Sequence, residues 1–180
     1  MRHKLGKGHV VGILGIGGLG HVAIQFAHHL GAHVVALSSS SGKEEEAKSL
    51  GADEFLITRD AAAMRARDST FDFILCTVSA ELEWVTYFKL LKPEGKLCMV
   101  GLPPEIKFNP MILVNKSLEF CGSYLASPSE IKNMLTFCAK NKIKAMVETH
   151  EMTAENANLA LDRLEKNLPR YRIVLCNAKL

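Results

Sequence analysis

The chain of 180 residues contains nothing approaching the ~18 consecutive apolar residues of a membrane-spanning helix. Residues 1–8 lack the apolar core of a secretion signal. Long runs of one charge are also missing: 22 basic and 19 acidic residues are scattered along the chain and leave a net charge of only +3. No basic stripe suited to nucleic acid follows from that balance. The cysteines, Cys76, Cys98, Cys121, Cys138 and Cys176, are odd in number and far apart, with no C-x-x-C pair. A disulfide framework or a zinc cluster built from them is therefore not expected. Cys76, Cys98 and Cys176 fall inside apolar, strand-like runs, where a reduced thiol serves as a small buried hydrophobe. No internal repeat is present, and Ser38–Ser41 is the one low-complexity tract. The expectation is a soluble, cytoplasmic protein of one domain or slightly more, since 48% hydrophobic residues suffice for a sizeable core.

What the chain does have is a regular alternation. Residues 9–14, 33–38, 54–58, 71–78, 96–100 and 118–124 are near-continuous apolar runs of strand length, as strands buried on both faces require. Between them, residues 19–30, 43–50 and 82–91 carry helical spacing. Breakers stand just past the last periodic residue: Gly31 after Leu30, Gly51 after Leu50, Pro93 and Gly95 after Leu91. Such β-α-β alternation predicts an α/β fold with a doubly wound parallel sheet and right-handed crossovers. The character changes after Ser127, where a helix over 128–141, a strand over 145–150, a helix over 154–166 and a last strand over 171–176 are predicted. The expected division is therefore 1–126 and 127–180.

The densest signal is Gly15-Ile16-Gly17-Gly18-Leu19-Gly20, four glycines in six positions between an apolar strand and an apolar helix. Glycine inside a regular element costs about 0.5–1 kcal/mol relative to alanine, so this density needs a reason. The spacing is G-x-G-x-x-G, the dinucleotide fingerprint of the Rossmann fold. Gly15 permits the tight turn, Gly17 lets a pyrophosphate approach the backbone, and Gly20 lets the helix pack closely on the sheet. The helix N-terminus then presents amides and partial positive charge to phosphate.

The end of the second strand selects the dinucleotide. An NAD site places an Asp or Glu about 20 residues beyond the glycines, where it holds the ribose hydroxyls and repels a 2′-phosphate. Here the chain reads Ser38-Ser39-Ser40-Ser41-Gly42-Lys43. Hydroxyls at Ser38 and Ser39 and the charge of Lys43 suit a phosphate, which favours NADP(H). The same serines also suit a solvated turn that caps the next helix. Glu44, Glu45 and Glu46 sit one turn later and are expected to face solvent.

The stretches "VGILGIGGLGHVAIQFAHHLGAHVVALSSSSGKEEEAKSLGADEFL", "LLKPEGKLCMVGLP", "GSYLAS" and "RYRIVL" together resemble the cinnamyl alcohol dehydrogenase branch of the zinc-dependent medium-chain alcohol dehydrogenases. Arg2-His3 resembles the segment that precedes the family's first cofactor strand. The resemblance implies pyrophosphate contacts at Gly15, Ile16, Gly17, Gly18, Leu19 and Gly20, and 2′-phosphate contacts at Ser38, Ser39 and Lys43. It further implies cofactor contacts at Thr77, Gly101, Ser123, Tyr124 and Leu125, and an arginine, Arg172, able to approach the pyrophosphate. Tyr124 and Leu125 would border the nicotinamide, where Tyr124 is equally well an ordinary strand-end aromatic. The activity implied is hydride transfer between NADPH and an aldehyde or primary alcohol, with a homodimer formed through the edge strand near 118–124.

The family's catalytic zinc set, its four-cysteine lobe and its proton relay have no counterpart in this chain, so no catalytic residue and no metal ligand is expected here and zinc would belong to an N-terminal domain. None of His3, His9, His21, His28, His29, His33 and His150 pairs with a cysteine or carboxylate in zinc spacing. His28 and His29 are adjacent on a helix and are expected to point apart as ordinary helix residues. On this reading residues 127–180 complete the catalytic domain, and the apolar residues Met134, Leu135, Phe137, Met146, Leu159, Leu161 and Leu164 partly lose their partner. An NADP-sensing regulatory module without turnover stays open as an alternative. A methyltransferase would want an acidic residue where the second strand ends in serine.

Overall fold

The computed structural model describes residues 5–177; the resemblance at Arg2-His3 lies outside them. The elements are β1 (Val10–Leu14), α1 (Gly20–His29), β2 (His33–Ser38), α2 (Glu44–Ser49), β3 (Glu54–Ile57), α3 (Ala61–Arg65), β4 (Phe71–Cys76), α4 (Trp84–Leu90), β5 (Leu91–Met99), α5 (Met111–Lys116), β6 (Glu119–Gly122), α6 (Pro128–Asn141), β7 (Val147–Glu151), α7 (Ala154–Glu165) and β8 (Arg172–Cys176). Strands β1 to β6 form a six-stranded sheet in the order β3-β2-β1-β4-β5-β6, and every neighbouring pair is parallel. The order starts at β1 and runs outward in both directions, the signature of a doubly wound sheet.

Burial explains why these runs became strands. In β1 the residues Val11, Gly12, Ile13 and Leu14 are all buried, as are Val34 to Leu37 in β2. Alternate side chains take opposite faces. Leu14, Val35, Leu37, Phe71 and Ile74 join a core with Trp84, Tyr87, Phe88 and Leu90 of α4 and Met64 of α3. Ile24 and Ala27 of α1 are buried as well. Fully burying a Val, Leu, Ile or Phe side chain stabilises the fold by about 1.5–3 kcal/mol, more than a typical surface ion pair contributes. Near the sheet edge, Phe88 meets Phe108 and Phe120 edge to face, with centroids 4.8 and 5.4 Å away.

Two short helices go beyond the expected elements. Asp60 caps α3 by accepting from the amides of Ala62 and Ala63, and Asn109 accepts from the amide of Met111 at the start of α5. Strand β5 also begins at Leu91, directly after α4, so that Pro93 and Gly95 lie within the strand and not in a loop. The register slips at that point, Leu91 facing Phe71 before Lys96 faces Phe73. Glu94 takes a left-handed φ of 62° there, which absorbs the irregularity.

The chain divides into two compact units, Met1–Ile143 and Lys144–Leu180. This division follows α6. Helix α6 remains in the first unit, where Phe137 stacks on Phe26 of α1 with centroids 5.8 Å apart. Its start is a capping box between Ser127 and Glu130. In the second unit β7 and β8 form a two-stranded parallel sheet joined through α7. Cys176 is exposed, contrary to the core position expected of it. A two-stranded sheet leaves alternate residues of β8 uncovered, and Cys176 takes one of those positions. Met134, Leu135, Leu159, Leu161 and Leu164 are exposed, while Phe137 and Met146 are half-buried.

One polar tie crosses the middle of the sheet. Asp72 of β4 accepts from the amide of Val10 (2.7 Å) and pairs with Lys92 (2.8 Å). Burial acts to raise its carboxyl, but the Lys92 bond, the Val10 amide and the Lys92 charge together hold it below the ordinary 3.8. A lowered folded value adds stability above the unfolded value, and this is lost as pH falls through the folded one. Asp72→Asn should therefore cost about 1 kcal/mol at pH 7, since solvent screens the pair. That difference should shrink in urea melts of both proteins as pH falls below the ordinary carboxylate value and through the lowered folded one; a gap independent of pH would refute the assignment.

Candidate functional site

The C-terminal ends of β1 and β4 lie side by side where the strand order reverses, the place at which an open parallel sheet leaves its crevice. The glycine loop occupies that place. Gly15 has a φ of +91°, and a Cβ there would lie 2.8 Å from both Thr77 Oγ1 and Val78 Cγ2. A Cβ on Gly20 would lie 1.9 Å from the Gly15 carbonyl oxygen. A Cβ on Gly17 would meet nothing within 4 Å. The loop therefore needs Gly15 and Gly20 for its own shape, whereas Gly17 faces open space.

Side chains hold the loop in place. Thr77 donates from Oγ1 to the carbonyls of Leu14 (3.1 Å) and Gly15 (3.0 Å). His21, fully buried, donates from Nδ1 to the Gly17 carbonyl (2.8 Å). No side chain caps the start of α1, and its first turn contains no acidic residue, so the positive end of the helix meets no carboxylate from that turn. Sequence reasoning passed over His21. A polar residue in the first turn of an otherwise apolar helix, directly after the glycine loop, was the available signal.

Lys43 reaches back from the exit of β2, and its Nζ donates to the Ile16 carbonyl at 2.6 Å. Ser38 closes β2 half-buried, and its carbonyl accepts from Thr58 (2.8 Å). Ser39 is exposed. The structure thus brings the loop, the end of β2 and Lys43 to one locality. Beside it an open recess of about 660 Å³ is lined by Ser41, Gly42, Lys48 and the acidic Glu44, Glu45 and Glu46. Glu45 is exposed as expected, whereas Glu44 and Glu46 are half-buried. That acidic lining repels an anion.

The remaining expected positions follow the strand ends. Gly101 is tightly enclosed, since a Cβ there would lie 2.2 Å from the Val78 carbonyl oxygen. Its amide donates to the Cys76 carbonyl (3.1 Å). Ser123 follows β6 and donates its amide to Met99 (2.9 Å). Tyr124 and Leu125 come next and are 88% and 75% exposed, too open for ordinary core residues. Arg172 opens β8 in the second unit.

A metal has no such setting. Among the described residues no group of three or more His, Cys, Asp and Glu side chains is placed to hold an ion, so the residues present do not fit a zinc centre. The rings of His28 and His29, expected to point apart, meet edge on with centroids 5.2 Å apart. Both are exposed. Among the described residues no helix is long and apolar enough to cross a membrane.

A parallel sheet of this order with a glycine turn at its reversal is a Rossmann-type fold. The zinc-binding dehydrogenase family signature matches residues 18–140, and the chain belongs to that family. It is 40% identical over its whole length to the aldehyde reductase YahK of Escherichia coli, covering 52% of that protein. A cinnamyl alcohol dehydrogenase of Sorghum bicolor superposes with a TM-score of 0.90 at 38% identity, over 94% of this chain and 48% of that one. The cinnamyl alcohol dehydrogenase of Helicobacter pylori, solved with NADP(H), superposes with a TM-score of 0.80 at 25% identity, over 94% of this chain and 48% of that one. The chain spans about half the length of the curated relatives it matches.

Proposed function

We propose that this chain is the NADP(H)-binding part of an alcohol dehydrogenase that moves hydride between NADPH and an aldehyde or primary alcohol. The observation that carries the reading is the joined pair of loop and lysine. A glycine turn open at Gly17 is tied by Lys43 to a strand that ends in serine and not in a carboxylate. When bound, the nicotinamide supplies the hydride. The amides at the start of α1 would hold the pyrophosphate, and Ser38, Ser39 and Lys43 the 2′-phosphate. Thr77 and Gly101 would fix the strand ends beneath the ribose and nicotinamide, with Ser123, Tyr124 and Leu125 along its far side. The exposed edge of β6 is the surface on which we place a homodimer.

NADPH should bind more tightly than NADH, and Lys43→Ala should narrow the gap by about 1–2 kcal/mol, roughly 5- to 30-fold. Calorimetric titration of both cofactors into both proteins checks this. Equal affinities in the unmutated chain would overturn the NADP(H) assignment. The chain alone should reduce cinnamaldehyde no faster than buffer in a coupled absorbance assay; turnover would show that it contains catalytic groups of its own.

A further inference from the structure

All five cysteines are free, yet two of them are neighbours. Cys98 of β5 and Cys121 of β6 are partners in the parallel ladder, two positions beyond the partners Lys96 and Glu119. Side chains at paired positions share a face, so the two thiols stand side by side, in hydrogen-bonding contact. Adjacent strands lie about 4.8 Å apart, inside the ~4.4–6.8 Å span between Cα atoms that a disulfide bridges. The two sites differ in access. Cys98 is buried, whereas Cys121 is half-buried on the last strand of the sheet. Lys96 lies on the same face, paired with Glu119 at 2.6 Å, and its charge acts on both sulfurs. Cys76, by contrast, is buried with its thiol against the Val78 carbonyl and has no sulfur partner among the described contacts.

We propose that Cys98 and Cys121 form a redox site that a peroxide converts to a disulfide. The Cys121 sulfur attacks one peroxide oxygen; an S–O bond forms, the O–O bond breaks, and the departing hydroxide leaves as water with the thiol proton. The Cys98 sulfur then attacks the sulfenic sulfur. The S–S bond forms, the S–O bond breaks, and the Cys98 proton leaves with the hydroxyl as a second water. Two thiols lose two electrons in all, and the peroxide gains them. The assignment of roles follows burial: Cys98 keeps its proton, its thiol pushed up to about 12 by burial and then by Cys121, so the accessible Cys121 reacts first and Cys98 resolves. Bridging directly opposed positions of parallel strands strains the ladder, and strained bridges are the readily reduced ones. The bond would also pin β6 two residues before Ser123. That consequence rests on the cofactor reading above, whereas the bridge itself is tested without cofactor.

The full chain, reduced and then exposed to a small excess of hydrogen peroxide, should lose two of its five thiols and about 2 Da within one chain. After blocking free thiols, tryptic peptides 97–107 and 117–132, which contain Cys98 and Cys121, should be recovered joined, and dithiothreitol should separate them. Cys98→Ser should instead leave Cys121 as a sulfenic acid that dimedone traps. Peptides 97–107 and 117–132 recovered unlinked from the unmutated chain would overturn the proposal. So would Cys121 joined to Cys138 or Cys176, or to a second chain, in place of Cys98.

Discussion

Gly17→Val should abolish binding of NADPH and NADH, weakening it on the order of 100-fold or more, while the circular dichroism spectrum and melting temperature stay nearly unchanged. The space around Gly17 decides both halves of that result. A Cβ there meets no protein atom within 4 Å, and the residue's φ is not positive, so the folded chain accommodates the branched side chain. The same open space is where, on the proposed reading, a pyrophosphate would come close to the backbone, and two methyl groups would fill it. A loss of that size corresponds to about 2.7 kcal/mol of binding free energy. Normal binding by the variant would mean that the loop serves the fold alone.

Gly20→Ala should have the opposite profile, a loss of folding stability of about 3 kcal/mol. One added methyl group would lie 1.9 Å from the carbonyl oxygen of Gly15 and 2.9 Å from its carbon. Those are backbone atoms, and the Gly15 carbonyl is already held by the Thr77 hydroxyl at 3.0 Å. Relief requires moving the start of α1 off the sheet. For a chain of this size the melting temperature should fall by roughly 6–12 °C. Thermal melts followed by circular dichroism check it, and an unchanged midpoint would show that the loop relaxes freely. The two variants together separate ligand space from packing space within six residues.

The sheet was legible because its middle is buried on both faces. β1 and β2 are nearly unbroken apolar runs, and their residues are buried almost without exception. The glycine spacing and the serines after β2 were legible for a local reason, since each depends on residue type at a fixed offset. Features set by distant contacts were not. Helices α3 and α5 span five and six residues, too short for a helical period to show, although Asp60 and Asn109 marked their starts. Helix α6 packs through Phe137 on Phe26, more than a hundred positions earlier. Cys176 looks like core because Arg172–Cys176 reads as an apolar strand, yet it stands on the exposed face of β8. His21 and Lys43 were visible as residues, but their bonds to Gly17 and Ile16 required the folded loop.

On the proposed reading, the bond from Lys43 to the Ile16 carbonyl would make cofactor discrimination an exchange and not an addition. A lysine waiting in solvent gives a phosphate the whole of its attraction, less the cost of freezing four rotatable bonds. Here the side chain is already ordered, so much of that entropy has been spent on folding. A 2′-phosphate that draws the ammonium away must first match the carbonyl it replaces. What separates the two dinucleotides at this position is then the margin between a full anionic charge and a neutral dipole, and that margin shrinks as salt is added.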